Sequence, residues 1–224
     1  MSKRSKIRVL FAPLAFSISD WIPSEPLVAY KFLSFLSELN IDICAIVNKA
    51  FVNKPINRLK LLETRISADG GLLERSLFRF FTLWKALQVI KDENINVIHQ
   101  MYGLPINFLA DHKYRGDRAF VIGPLFHDEY SPKASDAMFN DEGYPPIGPL
   151  DFVDYSLKVK HEVKAFRIRR ALVSSTMKFL EPLFEILIHE TLHNADIIIA
   201  ATESAKRFYG KFSDGRKMRV IPEA

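Results

Sequence analysis

The chain has 224 residues, long for one mixed domain and short for two, and is read as a single domain, 1–224, with elaborations. Its 48% apolar and 25% charged content is ordinary for a soluble globular protein with a full core, and a net charge of +5 is compatible with an anionic partner without requiring one. A lone cysteine, Cys44, excludes an internal disulfide and favours a reducing compartment, and no apolar run approaches the roughly 20 residues of a membrane-spanning helix.

The first six residues, MSKRSK, are basic but pass straight into a strand, without the apolar region and small-residue cleavage site of a signal peptide. Ile7 to Ala12 reads as that strand, ending at Pro13. A dinucleotide-binding turn would carry glycines here to bring backbone amides up to a pyrophosphate. The sequence PLAFSISD over 13–20 has none, which argues against NAD at this turn. Ser24, Glu25 and Pro26 open a helix: serine caps free amides, glutamate suits the positive pole, and proline is tolerated in the first turn. Val28, Phe32, Phe35 and Leu39 follow at helical spacing, and Ile41 to Val47 is a second strand. Residues 48–71 are polar and irregular, with a strand over Leu61–Ile66 and a turn at Gly70 and Gly71. Leu73, Leu77, Phe80, Trp84 and Leu87 then form a helical stripe ending near Asp92.

The stretch from Asn96 to Phe126 organises the rest. It holds two short apolar runs, 97–101 and 119–122, each with the length of a buried strand and each stopped by glycine or proline. His99, Gln100, Tyr102 and His127 sit within or just past them. Ligands of open parallel sheets bind at the carboxyl ends of strands, so this stretch reads as the floor and rim of a cleft. A long Pro/Gly-rich loop over 124–150 follows, with five acidic residues against one lysine. A basic helix is expected over 154–173 and another over 181–193. A strand over 196–200, a short helix from Thr202 to Gly210 and a last strand over 218–221 complete the pattern. Strands alternating with helices predict an α/β, Rossmann-like parallel sheet flanked by helices.

Two further features bear on function. His189-Glu-Thr-Leu-His193 fits H-E-x-x-H, which on a helix places two imidazoles on one face for zinc, with the glutamate as base. A third ligand is needed, and Asp196 and Ile199 stand where the extended metalloprotease pattern wants glycine and histidine. No metal is therefore expected, and zinc hydrolysis ranks third among the functions. In the basic helix, Lys158, Lys160, Lys164, Arg167, Arg169 and Arg170 lie apart from Val159, Val163, Phe166 and Val173. A solvated face is one reading, and docking on anionic lipid headgroups is the other. No stacking-aromatic motif interleaves with the basic run, so nucleic acid is not expected. The expected location is cytoplasmic, with 154–173 offering peripheral contact at the inner face of the membrane.

Four segments resemble the N-terminal half of GT-B glycosyltransferases of retaining family 4 (group 1). They are Ser24-Glu25-Pro26, the strand 97–100 followed by Tyr102-Gly103-Leu104-Pro105, the run Phe120-Val-Ile-Gly-Pro124, and the run 195–202 with its closing strand 219–223. The glycines usual after that family's first strand are missing. The resemblance implies an acceptor-binding domain that serves sugar transfer from a nucleotide-sugar donor to a glycan or lipid-linked acceptor. The donor would sit in a C-terminal Rossmann domain that these residues do not include, so no cofactor is expected in this chain, which alone should be inactive. It further implies that His99, Gln100, Tyr102, Gly123, Pro124 and His127 line the acceptor side, with Ser17, Ser24 and Glu25 on the facing rim. No catalytic residue is assigned. The competing reading is a stand-alone, non-catalytic binding module of the same fold.

Overall fold

The computed structural model describes residues 7–23, 25–66, 72–101, 106–125, 183 and 186–221, with the backbone alone at 25, 72–76 and 204. In these residues the chain forms a seven-stranded, all-parallel sheet in the order β3-β2-β1-β4-β5-β6-β7. The strands are β1 (Arg8–Ser19), β2 (Asp42–Phe51), β3 (Leu59–Glu63), β4 (Val97–Gln100), β5 (Ala119–Leu125), β6 (Ile197–Ala200) and β7 (Met218–Val220). Between them lie helices α1 (Glu25–Glu38), α2 (Leu72–Asp92), the four-residue α3 (His112–Arg115), α4 (186–194) and α5 (Glu203–Tyr209). Single 3-10 turns occupy Phe108–Ala110 and Gly215–Lys217.

Parallel strands need crossovers, and the right-handed rule fixes the face of each. The step from β1 to β2 runs one way along the sheet and puts α1 on one face, where Ala29 and Leu33 pack on Phe11, Ile18, Ile43 and Val47. The later steps run the other way, so α2, the 108–110 turn and α4 pack on the opposite face. Their Ala86, Val89, Leu109, Ile188 and Leu192 join Leu10, Ile46, Ile98, Phe120 and Ile198 of the sheet in one core. Both faces of the central strands are thus covered, which is why their sequences run apolar without alternation.

Several boundaries differ from the sequence reading. β1 does not stop at Pro13: it continues to Ser19, with a register shift against β2 between Phe11 and Ala15. Proline lacks an N–H, and a bulge is the place in a buried strand where none is missed. Pro13 still accepts from the Met101 amide. β5 likewise runs through Gly123 and Pro124 to Leu125, again with a register shift against β6, so Pro124 and Leu125 belong to a strand and not to the expected loop. The peptide bonds before Pro13 and Pro124 are both cis. β2 extends to Phe51 through residues read as irregular, and β3 lies at Leu59–Glu63 rather than Leu61–Ile66. The 108–115 turns were not anticipated.

The two helical stripes are also displaced. Leu77, Phe80 and Trp84 point outward, and the face of α2 on the sheet is Phe78, Thr82, Ala86 and Val89. On α1, Val28 and Phe35 are exposed, as is Leu39 just past its end, while Ala29 and Leu33 are buried. Each helix is apolar on more than one face, so periodicity alone did not choose the inner one. Residues 126–150 and the basic helix expected over 154–173 lie outside the described residues.

Candidate functional site

β1 and β4 are neighbours whose onward connections leave in opposite directions, which makes their carboxyl ends the topological switch point of the sheet. His99 and Gln100 end β4 there. In register, His99 lies between Phe11 of β1 and Val121 of β5, and Gln100 lies opposite Ile122.

The His99 ring is buried, with its centroid 4.9 Å from that of Phe11 and 6.2 Å from that of Phe32 on α1. Its Nε2 lies 2.8 Å from the Gly123 carbonyl oxygen. A carbonyl only accepts, so Nε2 carries the proton and donates, which fixes the tautomer with Nδ1 bare. Burial pushes the ring's pKa down to about 4, against a smaller upward pull from the Gly123 hydrogen bond. The imidazole is therefore neutral at pH 7 and acts as a strut between β4 and the bulge of β5.

Gly123 needs to be glycine on two counts. Its φ is +120°, in the region L side chains avoid, and a Cβ would lie 2.2 Å from the Ile199 carbonyl oxygen. The close approach of β5 to β6 and the presentation of the Gly123 carbonyl to His99 are one local geometry.

On the α2 side of the same strand ends, Pro13, Thr82, Gln100 and Asn107 line a small cavity of about 30 Å³, room for one water molecule. The Thr82 side chain is 2% exposed and its hydroxyl has no hydrogen-bond partner among the described residues. Asn107, not singled out from the sequence, knits the cleft together. Its Nδ2 donates to the Ala12 carbonyl, its Oδ1 accepts from the Leu109 amide, and its own amide donates to Thr191 Oγ1. Asn before an apolar Phe-Leu-Ala run is a cap signal that could have marked it. A larger recess of about 310 Å³ lies at the amino ends of β1–β3, lined by Arg8, Asp42, Cys44, Arg58, Lys60 and Glu93. Its size does not outweigh its position, which is the end of a parallel sheet away from the ligand crevice. The buried Cys44 thiol there is pushed up to about 12, chiefly by burial, and is protonated at neutral pH.

His99, Gln100, Gly123 and Pro124 thus come together. Ser17 does not join them: it pairs with Lys49 of β2, six residues beyond Phe11, roughly 15–20 Å along an extended strand. Glu25 begins α1, and only its backbone is described. Ser24, Tyr102 and His127 lie outside the described residues.

The H-E-x-x-H segment sits on α4. Ile188, Thr191, Leu192 and Ala195 face the core, whereas His189 and His193 face outward with parallel rings 5.9 Å apart. Among the described residues no three His, Cys, Asp or Glu side chains gather closely enough to hold a metal ion. Asp196, just past this helix, is committed elsewhere: its Oδ2 accepts from Arg115 Nη1 and from the Phe120 amide, both at 2.7 Å. Arg115 is 1% exposed and also donates to the carbonyls of Ala110, Arg118 and Asn194. This cluster, at the amino ends of β5 and β6, ties strands to loops on the side away from the cleft.

No protein-family model and no curated protein matches the chain. Among the described residues, no helix is long and apolar enough to cross a membrane.

Proposed function

We propose that the chain is the acceptor-binding domain of a retaining GT-B, family 4 glycosyltransferase, serving transfer from a nucleotide-sugar to a glycan or lipid-linked acceptor. The observation that carries this reading is the meeting of two segments at the switch point. The 97–100 strand and the 120–124 run, which bear the sequence resemblance, are neighbours there, joined by the His99–Gly123 hydrogen bond. Such a domain contributes positioning: a rigid floor and fixed donors and acceptors that orient a sugar hydroxyl. Electrostatic support of the oxocarbenium-like transition state, with help from the donor phosphate, belongs to a donor-binding half outside residues 1–224.

His99 is a positioning residue in this scheme, since its Nε2 is engaged and its ring is neutral. That same neutrality favours the second reading, a binding module of this fold without turnover. Incubating the chain with a panel of nucleotide-sugars and simple glycosides decides between these and an autonomous enzyme. Both readings predict no transfer, and turnover of any donor by these residues alone overturns both. Fusion to a donor domain separates them, because only an acceptor half gains activity.

A further inference from the structure

A serine or threonine on a helix can bond the carbonyl four residues back, which satisfies its hydroxyl without a further partner. Thr191 on α4 does so, donating to the Leu187 carbonyl at 2.8 Å, and Ser34 on α1 donates to the Tyr30 carbonyl at 2.9 Å. Thr82 on α2 does not. It is 2% exposed, and its hydroxyl has no hydrogen-bond partner among the described residues. A buried hydroxyl without a partner is destabilising, so one that is kept calls for an explanation.

Thr82 lines the switch-point cavity, and the other polar side chains on its wall are engaged. Asn107 uses both ends of its amide, on the Ala12 carbonyl and the Leu109 amide. Arg79 and Gln100 each interact with another group already. Arg79, Ile106 and Asn107 are only half-buried, so the cavity lies just beneath the surface of the cleft. Its volume of about 30 Å³ has room for one hydroxyl group in place of a water molecule, and not for a phosphate with its three outer oxygens. A threonine hydroxyl both donates and accepts, as a sugar hydroxyl does. We propose that Thr82 is a specificity-determining residue of the cleft, its hydroxyl pairing with one hydroxyl group of a neutral sugar seated over this cavity. A deoxy sugar lacking that group leaves Thr82 unpaired and is discriminated against. The inference rests on the acceptor-domain reading and deepens it, naming an uncharged hydroxyl-bearing sugar as what the cleft receives.

The test is titration of the isotope-labelled full chain with the methyl glycosides of glucose, galactose, mannose and N-acetylglucosamine, each beside its monodeoxy derivatives, followed by amide chemical shifts. The variants are Thr82→Val, which keeps the shape of the side chain, and Thr82→Ser, which keeps the hydroxyl. Wild type should bind at least one glycoside about tenfold more tightly than one of its deoxy derivatives. Thr82→Val should bring that glycoside down to the affinity of the derivative and leave the derivative unchanged, whereas Thr82→Ser should keep the preference. Thr82→Val should also melt no lower than wild type, because no hydrogen bond among the described residues is lost. Equal binding of every glycoside and its derivatives by wild type overturns the inference and leaves the acceptor reading standing. So does a preference that survives Thr82→Val, and if that variant also melts lower, Thr82 is a structural group. Saturable binding of inorganic phosphate at Thr82 overturns it too, since an anion would then be the occupant. Binding of no glycoside by the folded chain overturns both.

Discussion

Acidification should destabilise this fold through His99 before the carboxylates contribute. An unfolded histidine titrates near 6.5, whereas His99 in the fold titrates at about 4 because its ring is buried against Phe11 and Phe32. Between those values the unfolded chain binds a proton that the native chain refuses, so stability rises with pH across the window. Above 6.5 both states are neutral and the effect vanishes; below 4 both are protonated and the loss is complete. Linkage across the window amounts to about 3 kcal/mol, a large part of the 5–15 kcal/mol typical of a domain. The assay is urea unfolding followed by circular dichroism at a series of pH values from 7.5 to 4, in wild type and His99→Gln. At pH 7.5 the variant should be the less stable, having lost the hydrogen bond to Gly123 and the ring packing. Its deficit should then shrink as pH falls, because it lacks the titrating group while sharing every carboxylate. A deficit that stays constant from pH 7.5 to 4 would refute the argument, and would mean that His99 is not buried neutral in the native state.

Three further outcomes follow from the same geometry. Gly123→Ala should cost more than about 2 kcal/mol in thermal unfolding, since its Cβ would collide with the Ile199 carbonyl at an unfavourable φ; a near-neutral change would contradict the close approach of β5 to β6. Asp196→Ala should cost about 2–4 kcal/mol by chemical denaturation, at the low end of a buried-pair deletion because the Asp196 side chain is 43% exposed while Arg115 is 1%. Elemental analysis after dialysis should find far less than one zinc per chain, and His189→Ala should leave that figure unchanged, because the two outward imidazoles supply only two of the three or four ligands zinc needs.

The centre of the sheet was legible in the sequence because its strands hold short branched-apolar runs and α1, α2, α4 and α5 are separate helices between strands. The strand ends were not. Pro13 and Gly123-Pro124 read as terminators, yet both sit in bulges that let a strand continue. Whether a proline ends or kinks a strand depends on the ladder of its neighbour, which no local pattern contains. The helical stripes failed for a related reason. Leu77-Phe80-Trp84 and Phe78-Thr82-Ala86 share a period, and burial went to the second set. His99, Gln100 and Gly123 could be placed together from the sequence because position at a strand's carboxyl end is readable from order alone. The structure then changed the reading of His99 from a cleft-lining group to a strut. Arg115 had no signal: it stands in the charged run DHKYRGDR, where one of two arginines is buried by tertiary contacts.

The central claim is that the switch-point cleft binds an acceptor sugar and not the nucleotide donor. Amide chemical-shift mapping of the isotope-labelled chain tests it most directly, with a panel of methyl glycosides in one series and nucleotide-sugars in the other. The account predicts saturable shifts at Gln100, Gly123 and Thr82 with at least one glycoside, and none at these positions with the nucleotide-sugars. Saturable binding of a nucleotide-sugar at Gln100 and Gly123, with no response to any glycoside, would contradict it.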